Sequence, residues 1–386
     1  MKRIHFDHDH DAYRDTVQSF LAREVQPFYE EWESDRLVPR SAWLAAGKSG
    51  ILGLSVPESF GGSDVTDYRF RQVVAEEIAK TATTSFGAGL SCQDDIIIPY
   101  VADLGTDEQR QRWLPGMASG DLIGAIAMTE PGTGSDLQAI KTTAVREGDN
   151  WVINGQKTFI TNGIHCDLVI VVARTDPNAG SRGLSLFVVE RDTPGFTRGR
   201  KLTKVGLAAQ DTAELVFTDV RVPHRNLLGV EGRGFLHLME RLPLERLSIA
   251  VAAIAGARAT YEWTKAYVFD RSAFGTKIGD LQNTRFVLAD MLTEIEVTES
   301  HVDRCVLALN SGELTAVDSA KAKWWSSELH KRVVDRCVQL HGGYGYMMEY
   351  PVGRAFVDQR VQTIFGGTTE VMKEIIGRDI AAGAVR

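Results

Sequence analysis

The stretch WVINGQKTFITNG, residues 151–163, decides the fold class. Its apolar runs are short and rich in β-branched and aromatic residues, and Asn154-Gly155 between them is a strong two-residue hairpin signal. The same texture extends on both sides through LIGAIAMTE (122–130), DLVIVVART (167–175), LSLFVVE (184–190) and AELVFTDVRVP (213–223). These runs follow one another without intervening helices. The expectation is therefore a small β-barrel or sandwich, and not a doubly wound nucleotide-binding sheet.

On either side the period becomes helical. YRDTVQSFLAREVQPFYEEW (13–32), PRSAWLAAGKSGILGL (39–54) and YRFRQVVAEEIAKT (68–81) place apolar residues three and four apart. After the β region come three much longer helical patterns, 245–271, 284–310 and 318–343, with short connections. Long helices so joined predict a bundle. The class is α+β: an N-terminal α-helical domain (1–122), a β domain (123–230) and a C-terminal four-helix bundle (231–386), with no internal repeat.

Bulk chemistry excludes several functions. The 386 residues carry a net charge of −8, and no concentrated basic field exists to meet a nucleic acid or an anionic membrane. No segment has the apolar length of a membrane span, and the first residues suit neither a signal nor a transit peptide. Cys92, Cys166, Cys305 and Cys337 lie far apart without a CxxC pair, which predicts reduced core thiols and a cytoplasmic location. His5, His8 and His10 alternate with aspartates but lack a closed zinc-like ligand set. The expectation there is a solvated tail running into a helix, with no metal.

The glycine-rich strings PGTGSD (131–136) and HGGYGY (341–346) are not GxGxxG turns, and no GxxxxGK[ST] exists. Thr129, Ser135, Thr161 and Thr368 stand in hydroxyl and glycine turns, each by itself an ordinary turn residue. In TIFGGTTEVMKEIIGRD (363–379), Gly366-Gly367 before two threonines suits close backbone approach to a ligand, yet this turn carries no acid. A candidate lies in RLPLERLSIA (241–250). Pro243 frees the carbonyl of Met239 and is expected to bend the helix just before Glu245, which opens an alanine- and isoleucine-rich segment. From its neighbours alone Glu245 reads as solvated or salt-bridged, because glutamate is seldom buried unpaired.

Together, AMTEPGTGSD (127–136), KTFITNG (157–163), DRSAFGTKIGDLQ (270–282), VQLHGGYGYMMEYP (338–351) and IFGGTTEVMKEIIGRDI (364–380) resemble the signature segments of the flavin-dependent acyl-CoA dehydrogenases, nearest the long-chain type. The resemblance covers nearly the whole chain. It implies FAD between β domain and bundle, in a homotetramer built from two dimers. Met128 and Thr129 would lie along the flavin ring, with Phe159, Ile160 and Thr161 behind it and Thr161 bonded to it. Ser135 would touch cofactor and acyl-CoA. Arg271, Phe274 and Gln282 would reach the phosphates and adenine side, joined from a neighbouring subunit by Gln339, Leu340, His341, Gly342 and Gly343. Thr368 and Glu370 would complete the cradle. Leu244, Arg246, Gly366 and Gly367 would meet the acyl-CoA, while Leu236 and His237 either border the pocket or simply pack.

One departure bears on mechanism. Many members of the family hold the catalytic base as the glutamate of a Tyr-Glu-Gly-Thr string; here those places are Phe365, Gly366, Gly367 and Thr368. A minority keep it on the helix, in a Glu-Arg pair where this chain has Glu245-Arg246. The resemblance therefore implies Glu245 as the base that removes the α-proton of a medium- or long-chain acyl-CoA, with a hydride passing to flavin to give a trans-2-enoyl-CoA. The Gly366 N–H would stabilise the enolate oxygen, and the missing side chain would leave room for the carboxylate arriving from the helix. The implied setting is fatty-acid β-oxidation, with an electron-transferring flavoprotein as acceptor. Two alternatives are an oxygen-using acyl-CoA oxidase or monooxygenase of the same fold, and a catalytically silent acyl-CoA-binding member.

Overall fold

In the computed structural model, which describes residues 3–384, α1 (His8–Phe20), α2 (Tyr29–Asp35), α3 (Arg40–Lys48), α4 (Arg69–Lys80), α5 (Thr84–Ser91), α6 (Ile98–Leu104) and α7 (Asp107–Ser119) precede the first strand. Local chemistry sets their ends. Asp7 with His10, and Thr106 with Gln109, form reciprocal capping boxes at the starts of α1 and α7. The apolar faces, including Val17, Phe20, Trp43, Val73 and Phe86, meet in one core. Between α5 and α6 the helix widens into a π-turn, Cys92–Ile97, which shifts the phase of everything after it.

The solvated-tail expectation fails at two of the three histidines. His5 and His10 are buried. His5 Nε2 lies 2.8 Å from Gln72 Oε1, and Arg3 Nε donates to Asp303 at 2.6 Å. The partners of His5 and Arg3 come from α4 and from a helix some 300 residues away, so local composition could not announce them, whereas His10 bonds the nearby Asp7.

The central sheet consists of β1 (Gly124–Ala127), β2 (Thr143–Glu147), β3 (Asn150–Thr161), β4 (Leu168–Arg174), β5 (Leu184–Glu190), β6 (Phe196–Lys201), β7 (Thr212–Pro223) and β8 (Leu227–Leu228). Their order is β6-β7-β3-β2-β4-β5-β8, with β1 beside β4. Alternation places Val169, Val171 and Phe187 in the core of the β domain, and Leu168, Ile170 and Leu186 against α6 and α7. Because β4 and β5 are covered on both faces, they read as unbroken apolar runs.

Asn154-Gly155 is not a hairpin. Both residues lie inside β3, and the tight turn is Gly148-Asp149, where Glu147 pairs with Asn150. The Asn-Gly pair instead makes a bulge against β7, whose register shifts between Ile153 and Gly155. The Asn154 side chain exchanges two hydrogen bonds with Asp219, at 2.8 and 3.1 Å. A Cβ on Gly155 would meet Thr142 Oγ1 at 2.3 Å, so glycine is required by close crossing and not by a turn.

After the sheet come α8 (Gly234–Asp270), a two-stranded ribbon of β9 (Ser272–Ala273) and β10 (Thr276–Lys277), α9 (Gln282–Asn310), α10 (Ala316–His341), α11 (Pro351–Asp358) and α12 (Thr369–Ala384). Leu247, Val251 and Ile254 of α8 pack with Met291, Ile295, Leu329 and Val333 to form the bundle core. Pro243 lies within the continuous α8. All four cysteines are buried free thiols. Among the described residues no helix is long and apolar enough to cross a membrane.

Candidate active site

The Gly366-Gly367 turn sits against α8. Gly366 has φ +64°, and a Cβ there would meet Ile249 Cδ1 at 2.4 Å. The first atom of any side chain at 366 would thus overlap Ile249, one helical turn beyond Glu245. Arg246 is buried, and its Nε donates to the Gly366 carbonyl at 3.4 Å. Lys323 of α10, also buried, donates to the Gly367 carbonyl at 2.6 Å. With both carbonyls engaged, the turn is held from below. The Gly366 N–H donates to none of the described residues.

Glu245 is 4% exposed. The solvated or salt-bridged state read from its neighbours is not found: burial raises the carboxyl to about 7, against the opposing pull of a Tyr100 hydrogen bond and the Arg246 charge. Tyr100 Oη donates to Glu245 Oε1 at 3.1 Å. Arg246 leans toward the glycine turn and leaves the carboxylate without a bonded cation. A buried carboxyl poised near neutral pH is suited to proton abstraction. Leu244 is half-buried against the bundle core, while His237 receives a hydrogen bond from the Val230 N–H and packs on Gly229. Leu236 is exposed.

A second group gathers around the start of the β domain. Lys157 is wholly buried and donates to Glu130 at 2.9 Å and to the Met128 carbonyl at 3.0 Å; Thr158 N–H donates to the Thr129 carbonyl at 3.0 Å. Met128 and Thr129 are thereby tied to β3 beside Phe159, Ile160 and Thr161. Burial lowers the Lys157 ammonium to about 8, against the Glu130 charge. Ser135 is exposed in the turn that follows. Phe159 is 67% exposed at φ +59°, and Phe274, in the β9–β10 turn, is 98% exposed at φ +52°. A left-handed backbone costs a non-glycine residue about 1–2 kcal/mol. Both aromatic rings are held outward at that cost.

The third group lies at the far end of α10. Arg271, Gln339, Leu340, His341, Gly342 and Gly343 line one cavity of about 580 Å³, and a Cβ at 342 or 343 would meet nothing within 4 Å. On this chain Arg271 and the 339–343 segment, expected to meet the cofactor from different subunits, line the same cavity. Gln282 begins α9 and is exposed. Thr368 caps α12 by accepting from Val371 N–H at 3.3 Å, with Glu370 exposed in the first turn.

Tyr100, Lys157 and Lys323 were missed in the sequence. Lys157 falls at an inward parity of β3, and Lys323 lies among Ser319, Ala320, Ser326 and Ser327, a small-residue face that marks close packing. Those were the available signals. Tyr100 offered none, because the π-turn ahead of it sets its direction.

Comparison with known proteins agrees with this layout. The family profiles for the acyl-CoA dehydrogenase N-terminal, middle and C-terminal domains match residues 7–121, 125–220 and 232–381. The mitochondrial long-chain specific acyl-CoA dehydrogenase of Rattus norvegicus is 48% identical over 99% of this chain and 88% of its own. The crystal structure of an acyl-CoA dehydrogenase from Geobacillus kaustophilus superposes with a TM-score of 0.96 at 48% identity, covering 98% and 100% of the two chains. A glutaryl-CoA dehydrogenase from Mycobacterium smegmatis in complex with FADH2 gives 0.91 at 28%, covering 98% and 96%. A chain from the structure of the electron transferring flavoprotein of Acidaminococcus fermentans gives 0.94 at 34%, covering 98% and 99%. This chain belongs to the acyl-CoA dehydrogenase family and is an FAD-dependent oxidoreductase acting on acyl-CoA.

Proposed function

We propose that Glu245 is the base that removes the α-proton of a medium- or long-chain acyl-CoA in its α,β-dehydrogenation to the trans-2-enoyl-CoA. One observation carries this reading: the Glu245 carboxyl group is buried, which pushes it up to about 7, on the helix whose Arg246 and Ile249 pack against the turn where Gly366 replaces the acid. An ordinary glutamate, titrating near about 4.3, is too weak a base for this proton.

The chain's own groups divide the work. Ionised Glu245 takes and holds the proton. The Gly366 N–H, which donates to none of the described residues, meets the charge developing on the thioester oxygen, and Arg246 and Lys323 fix that turn through its carbonyls. Leu244, Arg246, Gly367 and Ser135 bound the acyl-CoA. Bound FAD supplies the acceptor for the hydride that leaves the β-carbon. Met128, Thr129, Ser135, Phe159, Ile160 and Thr161 would hold its ring end, and Arg271, Phe274, Gln282, the 339–343 segment, Thr368 and Glu370 its other end.

The outward Phe274 and the open cavity beside it support a second subunit across this face, in a homotetramer. Likeness to the Acidaminococcus flavoprotein chain supports an electron-transferring flavoprotein as acceptor. The buried free thiols fit a reducing, cytoplasmic compartment.

The test is Glu245→Gln. The variant is expected to keep the FAD absorbance and to slow anaerobic flavin bleaching by acyl-CoA at least about a hundredfold. Bleaching at the native rate removes Glu245 from the mechanism. A panel of straight and branched acyl-CoAs fixes chain length, and peroxide formation in air would identify an oxidase.

A further inference from the structure

We propose that Tyr100 is a positioning residue for Glu245, its phenol donating to one carboxylate oxygen so that the carboxyl group keeps one orientation in the wall of the site. The proposal rests on the reading of Glu245 as the base. Tyr100 is 0% exposed, and its Oη–Oε1 distance of 3.1 Å spans 145 residues of sequence. It is the only side chain among the described residues that hydrogen-bonds this carboxylate.

The supporting geometry is specific. The π-turn Cys92–Ile97 rotates the start of α6, and Pro99 sits in the first turn just ahead of Tyr100. Burial pushes the phenol well above its ordinary range, so it remains an O–H donor at neutral pH. The other groups near the pair compete poorly. Arg246, on Glu245's own helix, is engaged by Gly366; the Cys92 thiol, facing from the π-turn, is pushed up by burial and stays neutral. Arg241, the cation acting on the phenol, is paired with Asp103 at 2.8 Å.

A phenol that donates to the carboxylate favours the ionised form over the acid. It therefore keeps the base available while burial strengthens it. Without the donor the same burial would leave the carboxyl protonated and free to swing.

The test is the carboxyl infrared band of substrate-free holoenzyme, titrated with pH and assigned by its loss in Glu245→Gln. In Tyr100→Phe the midpoint is expected to rise by about one unit, the scale of a hydrogen bond to a charged group. The low-pH limb of kcat/KM should move with it. An unchanged midpoint overturns the proposal, whereas failure of the base assignment would show separately as native-rate bleaching in Glu245→Gln. Should Tyr100→Phe not accumulate as holoenzyme, a ring-fluorinated tyrosine at 100 keeps the shape and strengthens the donor. It is expected to lower the midpoint, and no movement there likewise overturns the role.

Discussion

Replacing Glu245 with glutamine tests the buried carboxyl through stability, independently of turnover. Burial raises it from an ordinary 4.5 to about 7 in the folded protein, with the Tyr100 hydrogen bond and Arg246 opposing. In the unfolded chain it ionises near the ordinary value. Between the two, the folded protein holds a proton that the unfolded chain has released, so the group's stabilising contribution is full below 4.5 and lost as pH rises through about 7. A difference of roughly 2.5 units at about 1.36 kcal/mol per unit amounts to about 3 kcal/mol, of which about 2.5 falls between about pH 5 and about pH 8. Glutamine does not titrate. The variant should therefore gain about 2.5 kcal/mol relative to the parent across that interval, while any fixed cost of burying an amide N–H cancels. Urea unfolding of both holoproteins, followed by tryptophan fluorescence at matched protein and FAD concentrations, measures the gap; cofactor must be matched because it binds only the folded form. A gap that stays flat across the interval refutes the desolvation argument, and with it the reason for expecting a strong base at this position.

Gly366→Ala should destabilise by about 2–4 kcal/mol, from the left-handed backbone and the overlap with Ile249. Ile249→Val in that background should return part of the loss in the urea midpoint; no recovery would show that Ile249 is not what the glycine accommodates. Lys157→Met strands the buried Glu130 and should cost about 3–5 kcal/mol. By untying Met128 it should also weaken FAD retention on gel filtration, and unchanged retention would separate Lys157 from the cofactor wall.

The order of helices, strands and helices was legible in the sequence because hydrophobic period is a local property. Each side chain is in or out according to its own neighbours along the chain. The loss of an acid at Gly366 and its presence at Glu245 were equally legible, since residue identity needs no coordinates. Reading Asn154-Gly155 as a turn failed because that pair is decided by what crosses it, Thr142 and Asp219, which lie on other strands. His5 was misjudged for the same reason, its partners coming from α4 and α9, and His10 because its ring is held between Asp7 and the distant Asp67. Only the tertiary structure could show that a side chain at 366 would overlap Ile249, that Lys323 and Arg246 hold the carbonyls of that turn, and that Tyr100 reaches the carboxylate across 145 residues. The sequence by itself determined which chemical groups are present and the period of each segment. Packing decided which groups meet, and so how strongly water is excluded from Glu245, because desolvation depends on neighbours that no local pattern encodes.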